Sequence, residues 1–263
     1  MYILDFFAFT IELPSENRLR DLTADDLSRI SASTSSSPVN ATQYVIFDTE
    51  LPKKPDQLAL LSEALRDSGA YYSQLAPIGE SDAISRIATA RDAGAASVSF
   101  HPYLQNIDNS GIASAVDIAK AASEFGLLNC VCTAYGSQSI KNIDPLHVAA
   151  AIAESVSTPV VLIHGGGAKV IDAMLIADAF PNVFLDTSFS LSYWLGSSIE
   201  TDMAFAMKKL GREKWIFGSD APFVEVNQAV DDHLDFFHRH GFYTDFVDGV
   251  MGQNAMKLLE RSK

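Results

Sequence analysis

The chain has 263 residues, of which 48% are hydrophobic, and its 19 basic and 33 acidic side chains leave a net charge of −14. That length suits one large domain with a real core, and the apolar share excludes a chain disordered overall. The acidic balance repels phosphate backbones and anionic bilayers, so neither a nucleic acid nor a membrane is an expected partner.

Short β-branched or aromatic runs alternate with amphipathic segments along the chain. The first run, YILDFFAF at 2–9, precedes LTADDLSRI, where Thr23 reads as a helix cap, and the Ser-rich SASTSSSPVN at 31–40, expected to be a flexible loop. Further strand candidates are QYVIF at 43–47, YYSQLAPI at 71–78, ASVSFHP at 96–102 and LLNCVCTA at 127–134. PVVLIHG at 159–165, NVFLDTS at 182–188 and WIFGSDA at 215–221 complete eight. Helical patterns such as PDQLALLSEALRDSG separate them, several closing on a glycine (Gly69, Gly94, Gly126, Gly211, Gly241). The tail 244–263 reads as a last helix packed outside. Eight strand–helix alternations without a doubly wound fingerprint predict an α/β fold, a single (β/α)₈ TIM barrel spanning 1–263.

The two cysteines, Cys130 and Cys132, lie two apart on one strand and so face the same side. Such neighbours rarely close a disulfide, and they read as small buried hydrophobes in a reducing compartment. The N-terminus carries Asp5 and Glu12 inside its apolar stretch and lacks a basic region, unlike a signal peptide. No run approaches the roughly 20 apolar residues of a membrane helix, so the expected location is the cytoplasm.

A barrel of this kind places chemistry at the carboxyl ends of its strands. There the sequence puts His101 at the end of strand four, followed by Tyr103 and Gln105, His164 on strand six just before three glycines, Asp186 and Ser188 on strand seven, and Ser219 and Asp220 on strand eight after its apolar run. Asp220 is the strongest candidate: a carboxylate at the end of a buried strand must be hydrogen-bonded, metal-bound or used as a proton acceptor. Its plain alternative is to cap backbone amides. His164 can shuttle protons near neutral pH, or it can be a satisfied barrel histidine beside a tight turn. GGGAK lacks the framing of a phosphate loop. His147, His233, His238 and His240 fall on helical segments, where packing or solvated roles are expected.

The series VVLIHGGG, AFPNVFLDTS, WIFGSDAPF and VMGQNAMKLL resembles the amidohydrolase-related family, a branch of the amidohydrolase superfamily that includes metal-dependent decarboxylases and lactone hydrolases. The resemblance implies Asp-x-His-x-His on strand one, histidines on strand five and sometimes six, and an Asp on strand eight, together holding a divalent metal. This chain keeps His164 and Asp220. Asp5 aligns, but the paired histidines are replaced by Phe7 and Phe9, and the strand-five histidine by Thr133. Phenylalanine offers no lone pair, and a site of this type needs at least three protein ligands, so no metal and no other cofactor is expected.

The leading expectation is therefore a metal-independent hydrolase of a lactone, ester or amide in a small, partly apolar acid. In it Asp220 is general base, His164 an acid or electrostatic partner, and His101 a further catalytic candidate. Phe7, Phe9, Tyr103, Gln105, Tyr135, Ser188 and Trp194 are expected to contact the substrate. An isomerase or cyclase, a decarboxylase, or a ligand-binding pseudoenzyme on the same barrel are the alternatives. A small molecule is the expected partner, and since barrels of this kind often pair, a homodimer is the other.

Overall fold

The computed structural model describes residues 1–9, 21–32 and 38–261, and the side chains of Phe9, Ala32 and Arg261 lie outside that description. Eight strands run in chain order around one sheet: β1 (Leu4–Phe9), β2 (Ala41–Ile46), β3 (Tyr71–Leu75), β4 (Ser97–Phe100), β5 (Leu128–Cys132), β6 (Val160–Ile163), β7 (Val183–Asp186) and β8 (Trp215–Ile216). Every pairing from β1 to β8 is parallel. The seam between β8 and β1 closes through Phe6 N–H donating to Phe217 O (3.1 Å) and Asp220 N–H donating to Phe7 O (2.9 Å). The result is the (β/α)₈ barrel that the alternation predicts.

Two-residue periodicity divides the strands between two apolar clusters. Val45, Leu75, Leu128, Val161, Ile163 and Ile216 belong to an inner cluster, whereas Tyr44, Ile46, Val98, Val131 and Leu162 pack in the outer one with the helices. Several inner polar groups satisfy one another: Ser97 Oγ donates to Gln43 Oε1 (3.1 Å), and the Ser73 and Ser99 hydroxyls meet at 2.6 Å. β1 departs from the alternation. Its register passes from Asp5 opposite Thr42 to Ala8 opposite Tyr44, so Phe6 and Phe7 together face the single Gln43, a bulge that puts both rings in the inner cluster.

The helices are α1 (Ala24–Ala32), α2 (Pro55–Ser68), α3 (Ala83–Asp92), α4 (Ile112–Glu124), α5 (Pro145–Ser155), α6 (Val170–Ala179), α7 (Ser190–Trp194), α8 (Ser198–Leu210), α9 (Val226–Arg239), α10 (Thr244–Asp248) and α11 (Asn254–Arg261). Thr23 caps α1 as its sequence suggests: its N–H and hydroxyl both donate to Asp26 Oδ2 (2.8 Å each), and Asp26 N–H returns a bond to Thr23 Oγ1 (3.3 Å). Ser31 and Ala32 complete that helix instead of opening the Ser-rich loop, and 33–37 lie outside the described residues. Asn40 is tied to Ile3 in both directions.

Two differences from the sequence reading have clear causes. β8 stops at Ile216 because Phe217 N–H donates to Val250 O (2.9 Å), which releases 218–220 to cross over β1. The tail is two helices joined by a π turn over Gly249–Gln253. Gly252 there lies so close to the Tyr2 carbonyl that a Cβ would collide with it. Asn254 Nδ2 donates to Arg212 O (2.6 Å) and Trp215 O (2.8 Å), and Ala255, Leu258 and Leu259 join the inner cluster. The last helix thus closes the end of the barrel where β1 and β8 begin. Among the described residues, no helix is long and apolar enough to cross a membrane.

Candidate active site

The carboxyl ends of β4, β6, β7 and β8 deliver His101, His164, Asp186 and Asp220 to one mouth. All are buried: Asp220 keeps 4% of its surface exposed and Asp186 none. A cavity of about 730 Å³ opens there, lined among others by His101, Tyr103, Tyr135, His164 and Asp220. Three of the four non-glycine residues with left-handed backbone among the described residues, His164 (φ 67°), Phe189 (φ 56°) and Asp220 (φ 65°), sit around this mouth. Side chains other than glycine rarely adopt that conformation, and where they do a functional constraint is a common cause.

The local chain explains each placement. After β6, three glycines at positive φ carry the backbone round a turn, and Thr133 fastens it by donating to Ile163 O (2.6 Å) and accepting Gly166 N–H (2.8 Å). At the end of β7, Asp186 Oδ1 accepts His164 N–H (3.3 Å), Ser188 N–H (2.9 Å) and the Ser188 hydroxyl. After β8, Ser219 donates to both oxygens of Asp5, through its N–H (2.7 Å) and its hydroxyl (2.6 Å). Gly218 makes this convergence sterically feasible, since a Cβ there would run into the Asp186 carboxylate and come within 2.8 Å of Ser188 Cβ and 3.2 Å of Phe7 Cβ.

Burial dominates the electrostatics. It pushes His101 down to about 3, with His164 adding to the effect, and His164 down to about 4, so both rings are uncharged near neutral pH. It pushes Asp186 up to about 7 and Asp5 up to about 6, the latter against the bonds from Ser219. Asp220 rises well above the carboxylate range through burial first and the neighbouring Asp186 and Asp5 second. Several buried polar atoms have no hydrogen-bond partner among the described residues: Asp220 Oδ1, His101 Nε2, Tyr103 OH and Asp186 Oδ2. Leaving such atoms unpaired is costly, and the first three belong to residues that line the cavity, where a ligand can satisfy them.

Around that centre the other residues singled out by the sequence divide. Phe7 is fully buried, its ring edge-on to His164 (centroids 5.4 Å apart) and stacked on His101 (6.2 Å). Phe9 ends β1, and its side chain lies outside the described residues. Tyr135 lines the cavity with its ring, but its hydroxyl donates to Asp144 (2.5 Å) and Lys169 Nζ sits 4.4 Å over the ring. Trp194 lines an adjoining recess of about 390 Å³ shared with Tyr135, Phe189 and Tyr193. Gln105 turns inward to the backbone, accepting His101 N–H (2.8 Å) and donating to Ala76 O (2.5 Å), so it braces His101. Ser188 is buried and engaged with Asp186 and His164. Cys130 and Cys132 are free thiols pushed up to about 12 by burial, which keeps them protonated. His233 is a satisfied core histidine between Thr187 (2.7 Å) and Ala229 O (2.6 Å).

The profile of the amidohydrolase family matches residues 22–261. The chain belongs to that family, whose match begins beyond β1 and so leaves Asp5, Phe7 and Phe9 outside it. A search of curated proteins finds no match. Among solved structures, an uncharacterized TIM-barrel protein from Bordetella bronchiseptica is similar with a TM-score of 0.75 and 14% identity, covering 100% of this chain and 99% of that one. A probable 2-pyrone-4,6-dicarboxylic acid hydrolase from Acinetobacter baumannii, solved with citric acid bound, has a TM-score of 0.69 at 13% identity over 99% and 100% of the two chains. 2,6-Dihydroxybenzoate decarboxylase from Rhizobium reaches 0.69 at 12% over 100% and 99%. At these identities the likeness is one of fold.

The divalent metal implied by the resemblance does not fit the donors present. His101 and His164 both pack against the Phe7 ring, and among the described residues no three His, Cys, Asp or Glu side chains gather into a group able to hold an ion.

Proposed function

We propose that this barrel is a metal-independent hydrolase of a lactone, ester or amide in a small, partly apolar acid. The observation that carries the reading is the buried Asp220 carboxyl, one oxygen unpartnered, bordering the cavity together with an uncharged His164. Burial and the neighbouring Asp186 and Asp5 raise the Asp220 carboxylate, and a carboxylate with a raised pKa is a stronger base than an exposed one. Asp220 takes a proton from water as the water oxygen bonds to the acyl carbon. It then returns that proton to the leaving oxygen or nitrogen as the acyl bond breaks, so the carboxylate is regenerated. His164, His101 and Tyr103 hold the water and the acyl group, and the apolar walls from Phe47, Leu104 and Phe223 take the rest of the substrate. The chain acts in the cytoplasm on a small molecule, as a homodimer in the simplest arrangement.

Decarboxylation is the second reading, favoured by the same elevated Asp220, whose protonated form can hand a proton to a carbanion. The test is turnover of a panel of aryl lactones and esters by the wild type and Asp220→Asn. Loss of turnover in the variant supports the assignment, and a variant as active as the wild type overturns it.

A further inference from the structure

Asp186 is buried, takes no part in the scheme above, and places three donors on one of its oxygens. We infer that Asp186 is a positioning residue that fixes the tautomer of His164 by way of Ser188, leaving Nε2 as a bare acceptor toward the cavity. The inference rests on His164 belonging to the reacting pair, as proposed above.

The argument is a count of protons. His164 Nδ1 lies 3.0 Å from Ser188 O and 3.2 Å from Ser188 Oγ. A carbonyl oxygen only accepts, whereas a hydroxyl has one proton and can act toward a neighbouring imidazole as donor or acceptor. Were Ser188 to donate its proton to Nδ1, the ring would carry its own proton on Nε2, and that nitrogen would face the cavity as a donor. Asp186 decides between the two states. Its Oδ1 draws the Ser188 hydroxyl proton to itself and is held in place by His164 N–H and Ser188 N–H. With its only proton spent there, Ser188 Oγ can only accept from His164, as Ser188 O already does. Both contacts at Nδ1 then require a proton on Nδ1, and Nε2 keeps its lone pair. The arrangement does not depend on whether Asp186 is ionised, because a proton on its second oxygen leaves Oδ1 an acceptor.

The scaffold holds each member still. Ser190 N–H donates to Ser188 O (2.5 Å), Ser190 Oγ donates to His164 O (2.8 Å), and Phe7 and Phe189 set the imidazole plane through edge contacts at 5.4 and 6.2 Å. A bare Nε2 on a residue that lines the cavity with Asp220 suits a group that receives a hydrogen bond from water or from a substrate hydroxyl.

The test is the ¹⁵N spectrum of the imidazoles in the full-length protein without substrate, with His164 assigned by the signal missing in His164→Gln. The wild type and Asp186→Asn, whose amide oxygen replaces Oδ1, are expected to show the Nδ1–H form. Asp186→Ala frees the Ser188 hydroxyl and is expected to raise the Nε2–H form to a comparable share. The double variant Asp186→Ala/Ser188→Ala, with no hydroxyl left to donate, is expected to return to Nδ1–H. An Nε2–H wild type overturns the inference, as does a folded Asp186→Ala that keeps the wild-type tautomer. Should Asp186→Ala not fold, the wild type and Asp186→Asn decide, and Nε2–H in either contradicts it. Since no substrate is involved, these spectra stand whether or not Asp220 proves to be the hydrolytic base.

Discussion

Asp5 and Asp220 sit on opposite sides of the same seam, one on β1 and the other just past β8, yet their surroundings differ completely. Both Asp5 oxygens are taken by Ser219, across 214 residues of sequence, and the carboxylate serves as a clasp that closes the barrel. Asp220 gives its backbone N–H to Phe7 O but leaves Oδ1 unpartnered at the cavity. Burial raises both carboxyls, but only the second is left with an open oxygen and a volume in front of it. A raised pKa alone therefore does not mark the reacting group. An unsatisfied atom that borders a cavity does.

The contrast can be broken by substitution. Asp220→Asn should lower turnover about 10²–10⁴-fold, the usual contribution of a positioned acid or base, and should leave the melting temperature unchanged or higher because a buried carboxyl becomes a neutral amide. Asp5→Asn should do the reverse: an amide cannot accept from both Ser219 donors, so stability should fall by about 1–3 kcal/mol in urea titrations with little direct effect on the reacting groups.

Asp186→Asn sharpens the comparison through pH. The folded-state pKa of Asp186, about 7, is higher than its ordinary value, so the wild type owes this group stability that is full below about pH 4 and is lost as pH rises toward 7. The variant lacks that loss. Its stability relative to the wild type should climb through this window by at most about 1.4 kcal/mol per pH unit and level off above it, as read from unfolding at pH 4.5, 6 and 8. A smaller effect is expected at Phe7→His, which adds a third donor near His164 and Asp220. Zinc should raise the melting temperature of that variant and not of the wild type.

Much of this was legible in the chain. Buried parallel strands read as short apolar runs, so all eight are visible in the sequence, and the strand ends single out His101, His164 and Asp220. The replacement of paired histidines by Phe7 and Phe9 was equally plain. What could not be read were roles made by main-chain partners. Gln105 looked like a substrate contact, but its amide is spent on His101 N–H and Ala76 O. Ser188 likewise faces Asp186, a relation fixed by the turn after β7 and not by residue type. The Asp5–Ser219 clasp joins the two ends of the chain, and no local pattern signals it.

The central claim, hydrolysis by Asp220 and His164 without a metal, is tested most directly by turnover of an aryl lactone in ¹⁸O water after exhaustive chelation. The account predicts an undiminished rate and one ¹⁸O in the product acid. A rate abolished by chelation and restored by zinc or manganese, or a product formed without label, would contradict it.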